Sequence, residues 1–194
     1  EAVGTADLFI SEGTILKTQG RHPDANQHYI ASPLDNEIPT PLIILINETT
    51  ASAAEVLAAA IGEHDKGLII GIPTYGKGSV QLVRYLPNEG QFNLTWKELF
   101  SPYGFSLSEF GVLPKICTKN IQANTQDNLK ILNKSVISKR HKHQERFINQ
   151  SRKQPEKNIN PRFECKKSAK KDKSHGDYEL KLAIDILTSQ TLYK

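Results

Sequence analysis

Two unbroken apolar runs dominate the hydropathy pattern: PLIILIN at residues 41–47 and GLIIGI at residues 67–72. Continuous Ile-rich runs of this length predict strands covered on both faces, as in a parallel sheet. Between them, ETTASAAEVLAAAIGEHD turns rich in Ala and Leu. That predicts a turn and then a helix, with Thr49 or Thr50 capping its first turn. Strand, helix and strand together make a βαβ unit, and the fold class is α/β. Downstream, SVQLVRYL and QFNLTWKELF read as strands joined by a PNEG hairpin turn. In the second, Phe92, Leu94 and Trp96 alternate with Asn93, Thr95 and Lys97, which predicts one buried face. Upstream, AVGTADLFI has helical spacing and GTILKTQGR is strand-like, while HPDANQHYIASPLDNEIPTP is a Pro-punctuated loop holding one strand. SPYGFSLSEFGVLP reads as a loop broken by Gly and Pro.

The pattern changes after Cys117. Residues 119–176 are Lys-, Asn-, Gln- and Ser-rich and poor in aromatics, which predicts a loosely ordered basic linker. At the end, DYELKLAIDILTSQTLY places Leu180, Ala183, Ile184 and Leu187 at i, i+3, i+4 and i+7, an amphipathic helix that must dock on something. Charge follows the same boundary. Residues 1–118 hold 7 Lys+Arg against 13 Asp+Glu, a net of −6; the remaining residues hold 18 against 8, a net of +10. Three regions are therefore expected: an α/β core at 1–118, the linker at 119–176 and the helix at 177–194. No run approaches the roughly 18 apolar residues of a transmembrane helix. The chain opens on EAVGTADLF without a basic leader and contains no Met. A chain without an initiator Met reads as a fragment or a processed product.

The densest chemistry lies in GIPTYGKGSVQ, residues 71–81. Gly71, four residues and then Gly76-Lys77 approximate a phosphate-binding loop. Such a loop needs Ser or Thr directly after its Lys and a helix whose N-terminus faces the anion. Here Gly78 follows Lys77, the hydroxyl comes one place late at Ser79, and the next segment is strand-like. No nucleotide is expected. A solvated lysine in a Gly-rich turn is the plain alternative, and its weight depends on what partners Lys77.

A partner stands in NETTASAAE. Ser52 sits where a buried strand gives way to a helix, a place that exposes a hydroxyl and aims the first helical N–H groups at developing negative charge. Ala51, Ala53 and Ala54 are small enough to let a substrate backbone approach. Ser52 could equally be an ordinary capping residue. A serine nucleophile needs a base, and the histidines are poorly placed. His22 and His28 lie in a polar loop, His64 in a charged turn, and His141, His143 and His175 in the basic tail. A lysine can serve instead where an apolar surrounding disfavours its ammonium form. Lys77 after GLIIGI is placed for that, so burial of its side chain is expected. Ser52 follows the first strand and Lys77 the second, at the C-terminal ends where α/β folds build sites.

NETTASAAE and, 25 residues after Ser52, the lysine of YGKGSVQ together resemble the carboxyl-terminal processing proteases, or tail-specific proteases, of peptidase family S41. EAVGTADLFISEGTILKTQGR and LTWKELFSPYGFSLSEFGVLPKI are similar to flanking segments of the family, over about the first 118 residues, with a weaker echo in DYELKLAIDIL. The resemblance implies a ClpP/crotonase-like core of parallel strands and covering helices. It implies Ser52 as nucleophile, Lys77 as general base and Gln81 as the residue orienting the lysine. Residues i and i+4 of a strand share a face, which would let Gln81 point where Lys77 does. The backbone N–H of Ala53 would donate to the oxyanion. The implied partner is a protein or peptide substrate, with no cofactor and no nucleic acid. The implied location is extracytoplasmic, the bacterial periplasm, with the parent protein membrane-associated. The family's second oxyanion donor belongs to a Gly-Gly motif that would precede Glu1, and its substrate-recruiting PDZ domain is likewise not in this sequence. The family's Pro-Asp is Pro114-Lys115 here. One lost oxyanion donor costs ~10²–10³ in rate, so this chain alone is expected to be inactive or nearly so.

Cys117 and Cys165 flank most of the tail. Because family members act outside the cytoplasm, where disulfides persist, the resemblance points to a bridge that brings the terminal helix back to the core. Two unrelated free thiols remain the alternative. His141, His143, Glu145 and Cys165 have weak metal-site spacing in a polar stretch, and no metal is expected. KKSAKKDK has no interleaved aromatics for base stacking and reads as a solvated basic linker. The rival to a serine endopeptidase is a catalytically inactive interaction module that binds through the basic tail.

Overall fold

The computed structural model describes residues 1–33, 40–118, 165 and 176–188. Its elements, in chain order, are α1 (Ala2–Asp7), β1 (Thr14–Gln19), a 3₁₀ turn (Pro23–Ala25), β2 (Gln27–Ile30), β3 (Ile43–Ile46), α2 (Ala53–Glu63), β4 (Leu68–Gly71), β5 (Ser79–Tyr85), β6 (Gln91–Phe100), α3 (Leu107–Phe110), β7 (Ile116–Cys117) and α4 (Gly176–Thr188). The chain divides into two compact units: Glu1–Pro39, Thr49–Lys66 and Thr74–Val112 in the first, and Thr40–Glu48, Gly67–Pro73 and Leu113–Lys194 in the second.

The first unit holds an antiparallel sheet of order β2-β1-β6-β5, with α1 packed on α2 and β1. Ala6, Ile10, Ile15, Ala60, Ile61 and Leu107 supply its most deeply buried apolar groups. β5 and β6 pair along their length, Ser79 opposite Glu98 through Tyr85 opposite Gln91, with an irregularity between Val80 and Gln81. β6 meets β1 only at residues 98–100. The rest of the hairpin is a two-stranded ribbon, and the expected buried face is met only in part: Trp96 is half-buried against His22, but Phe92 is 50% exposed and Leu94 46%. Alternation marks two faces of a strand but does not supply a layer to cover either. The SPYGFSLSEF segment, expected as a loop, contains the short helix α3.

The second unit holds the parallel pair β3–β4, in register from Ile43 opposite Leu68 to Ile46 opposite Gly71, extended by β7. Gly71, at φ 132°, has room for no side chain, since a Cβ there would lie 1.9 Å from the Ile46 carbonyl oxygen. β4 is buried as its pattern predicts, whereas Leu45 of β3 is exposed, so that strand is not covered on both faces. α4 docks on this sheet, but of the stripe read from periodicity Ala183 alone is buried. Ile70, Ile116, Leu182 and Ile186 form the core, with Ile43, Leu68 and Tyr178 packed against it. Leu180, Ile184 and Leu187 are exposed. The helix carries two apolar stripes, and spacing alone does not choose between them. The Thr118 hydroxyl donates to the Glu179 carboxylate, which fixes the face that docks. Cys117 and Cys165 are joined in a disulfide, with Cα atoms 5.9 Å apart, across a sequence separation of 48. Most of the expected 119–176 linker, with His141, His143, Glu145 and KKSAKKDK, lies outside the described residues, as does the end of the expected 177–194 helix beyond Thr188.

Candidate active site

Ser52 is the N-cap of α2, as its capping alternative has it and in place of Thr49 or Thr50. Its backbone is at φ 55°, ψ −118°, a region that a residue with a Cβ rarely adopts. Holding it there costs about 1–3 kcal/mol, so the surroundings must impose it. Such a strained turn into a helix is how a nucleophilic serine is thrust clear of its backbone. Ser52 is half-buried, and Ala53 and Ala54 beside it are exposed, leaving the approach open. As the first residue of α2, Ala53 has no intrahelical acceptor for its N–H.

What imposes the turn is Glu55, three residues on and fully buried. Its Oε2 accepts the Ser52 N–H at 2.9 Å. The same oxygen accepts the Lys77 N–H at 2.8 Å, while Oε1 accepts the Gly76 N–H at 2.7 Å and the Thr74 hydroxyl. The Tyr75 N–H completes the run by donating to the Thr50 carbonyl at 3.0 Å. Thus Thr74, Tyr75, Gly76 and Lys77 each give one donor to the Thr50–Glu55 segment. Ser52 and Lys77, 25 residues apart in sequence, hang from one carboxylate oxygen. Neither Glu55 nor Thr74 stands out in the sequence as a site residue. The available signal was the Ser-x-x-Glu spacing of a capping box at 52–55; the burial of that glutamate and its second set of donors were not readable.

The two glycines around Lys77 serve geometry. Gly76 turns the chain at φ 88°. Gly78 lies so close to α3 that a Cβ would sit 2.3 Å from the Ser108 nitrogen. β5 begins at Ser79, so the segment after Lys77 is a strand and not the helix a phosphate loop requires.

Two expectations fail here. The Lys77 side chain is exposed, not buried. Its loop is gripped through backbone N–H groups, which leaves the side chain pointing away from the packed interior. Gln81 is also exposed, and the shared-face argument for it does not hold. Lys77 precedes β5, and the irregularity between Val80 and Gln81 breaks the alternation on which the argument depends. His64 does not approach the site; its Nε2 pairs with the Thr14 carbonyl at 2.7 Å.

The family model of peptidase family S41 matches residues 1–118. The chain belongs to peptidase family S41. It is 35% identical over 116 residues to the carboxy-terminal-processing protease of Bartonella bacilliformis, covering 60% of this chain and 27% of that protein. It is 35% identical over 113 residues to the chloroplastic carboxyl-terminal-processing peptidase 1 of Arabidopsis thaliana, covering 58% of this chain and 23% of the relative. The solved structure of the photosystem II D1 C-terminal processing protease matches with a TM-score of 0.53 at 30% identity, over 61% of this chain and 30% of that one. The α/β fold is therefore that of S41 proteases. This S41 chain spans about a quarter of the length of the curated relatives it matches.

Proposed function

We propose that this S41 chain carries the catalytic dyad of a serine endopeptidase that processes protein substrates, with Ser52 as nucleophile and Lys77 as general base. The observation that supports this most is the strained Ser52 backbone tied, through one Glu55 oxygen, to the backbone of Lys77. In the reaction, neutral Lys77 Nζ takes the Ser52 Oγ proton as Oγ attacks the substrate carbonyl carbon. The oxyanion of the tetrahedral intermediate is met by the Ala53 N–H at the start of α2. The lysine returns its proton to the leaving amine, and water then hydrolyses the acyl-enzyme by the same steps. Gln81, exposed on β5, takes the role of orienting the lysine from the likeness to the family alone.

With no substrate bound the Lys77 side chain is exposed, and bound polypeptide that covers it favours the neutral amine the reaction needs. That fits weak activity for this chain taken alone. The names of the relatives, a bacterial and a chloroplastic carboxy-terminal-processing protease, support a protein substrate and fit an extracytoplasmic setting, for which the periplasm is our reading. The Cys117–Cys165 bridge supports the same compartment, because disulfides persist where the medium is oxidising. The exposure of Lys77 also favours a second reading, a catalytically silent S41 module that works by binding. Hydrolysis of an unfolded protein separates the two. The dyad gives slow cleavage, lost in both Ser52→Ala and Lys77→Ala; a silent module gives none.

A further inference from the structure

Thr74 stands at the centre of contacts that the dyad chemistry does not use. It is fully buried, in the same loop as Lys77. Its hydroxyl donates to Glu55 Oε1 and accepts the Val112 N–H at 2.7 Å, while its own N–H donates to the Val112 carbonyl at 3.1 Å. Gly111, at φ 60°, packs so closely that a Cβ would lie 2.7 Å from the Thr74 hydroxyl oxygen and 3.3 Å from Glu55 Oε1. The segment that ends α3 is thus pressed against Thr74, and the segment that begins it is pressed against Gly78. The Lys77 loop is held at both ends by residues 107–112 and in its middle by Glu55.

A carboxylate with both oxygens shared among donors keeps its orientation only if each donor is itself fixed. Three of the four donors to Glu55 are backbone groups of the two segments being aligned. The fourth is the Thr74 hydroxyl, and it alone is anchored on a third segment, through Val112. We propose that Thr74 is a positioning residue of the Ser52–Lys77 site: its hydroxyl sets the Glu55 carboxylate from which the Ser52 turn and the Lys77 loop both hang. The proposal rests on the dyad reading for its catalytic consequence, but its geometric content can be judged apart from it.

The test compares Thr74→Val, which removes the hydroxyl at nearly constant shape, with Thr74→Ser, which keeps it. The first readout is the backbone amide resonances of Ser52, Gly76 and Lys77. The second is phosphonylation of Ser52 by a fluorophosphonate, separated into the maximal rate and the concentration for half-maximal rate. In Thr74→Val all three amide resonances move and the maximal rate drops about tenfold to hundredfold, with the half-maximal concentration little changed; Thr74→Ser restores both. Unmoved amides and an unchanged rate in Thr74→Val overturn the proposal. So does a Thr74→Ser variant as impaired as Thr74→Val, which would assign the effect to the methyl group. If Ser52 resists the probe in every variant, the dyad reading falls. The positioning claim then stands if the amides move in Thr74→Val and return in Thr74→Ser, and falls if they do not. Should Thr74→Val fail to fold, the unsubstituted protein decides. The Gly76 and Lys77 amides, bonded to a buried carboxylate, exchange slowly with solvent although they lie outside any strand or helix, and fast exchange of both overturns the proposal.

Discussion

Helix α2 carries a glutamate at each end, and the two meet opposite fates. Glu55, in the first turn, is fully buried yet surrounded by donors, and the positive end of the helix lies beside it. Glu63, the last residue, sits at the negative end. Burial pushes its carboxyl up to about 7 from an ordinary 4.5, against the lowering effect of hydrogen bonds from the Tyr103 N–H and the Ser101 side chain. The Tyr103 N–H reaches Glu63 Oε2 at 2.7 Å, and the Tyr103 hydroxyl reaches the Glu63 carbonyl at 2.6 Å. The same side chain on the same helix thus organises two loops at one end and resists ionisation at the other. What differs is the number of donors each meets.

The sharpest way to break the contrast is Glu55→Gln. The new amide turns donors toward the Ser52 and Lys77 N–H groups or toward the Gly76 N–H and the Thr74 hydroxyl. A loss of upwards of about 3 kcal/mol is expected, since each buried unsatisfied donor costs about 1–3 kcal/mol. Urea denaturation measures it, and a loss under 1 kcal/mol would mean that the carboxylate does not hold the loops.

The next effect is a pH dependence seated at Glu63. In the folded chain its carboxyl keeps its proton up to about 7, and in the unfolded chain it gives the proton up near 4.5. The stability this group contributes is full below 4.5 and is lost as pH rises through 7. The fall is at most about 3 kcal/mol, at 1.36 kcal/mol per pKa unit. Urea midpoints across this range should decline in the parent, and the decline should shrink in Glu63→Gln; an unchanged slope assigns it to other groups. Tyr103→Phe removes the bond to the Glu63 carbonyl and should cost about 1 kcal/mol, read as a shift in thermal midpoint. Phe92→Ser, on the exposed ribbon, should stay within about 0.5 kcal/mol. A larger loss would mean that the ribbon is covered in solution.

The sequence made the local elements readable where pattern and burial agree. GLIIGI is a buried strand and AAEVLAAAIGE is a helix. It did not make covering layers readable. Phe92 and Leu94 alternate correctly but face nothing that buries them, and α4 docks by Leu182 and Ile186 instead of Leu180 and Ile184. Lys77 fails for the same reason. Its position in the chain follows from local pattern, but its exposure follows from which neighbours surround the loop. Glu55 was hidden because a capping glutamate and a buried glutamate that gathers two loops have the same sequence signature.

The central claim is that Ser52 is a nucleophile activated by Lys77. The direct measurement is the rate at which a fluorophosphonate modifies the intact chain, with the site located by mass spectrometry, in the parent and in Lys77→Ala. Slow modification at Ser52, at least ~100-fold slower still without the lysine, is the predicted result. Modification elsewhere, none at all, or an equal rate at Ser52 in Lys77→Ala would contradict it.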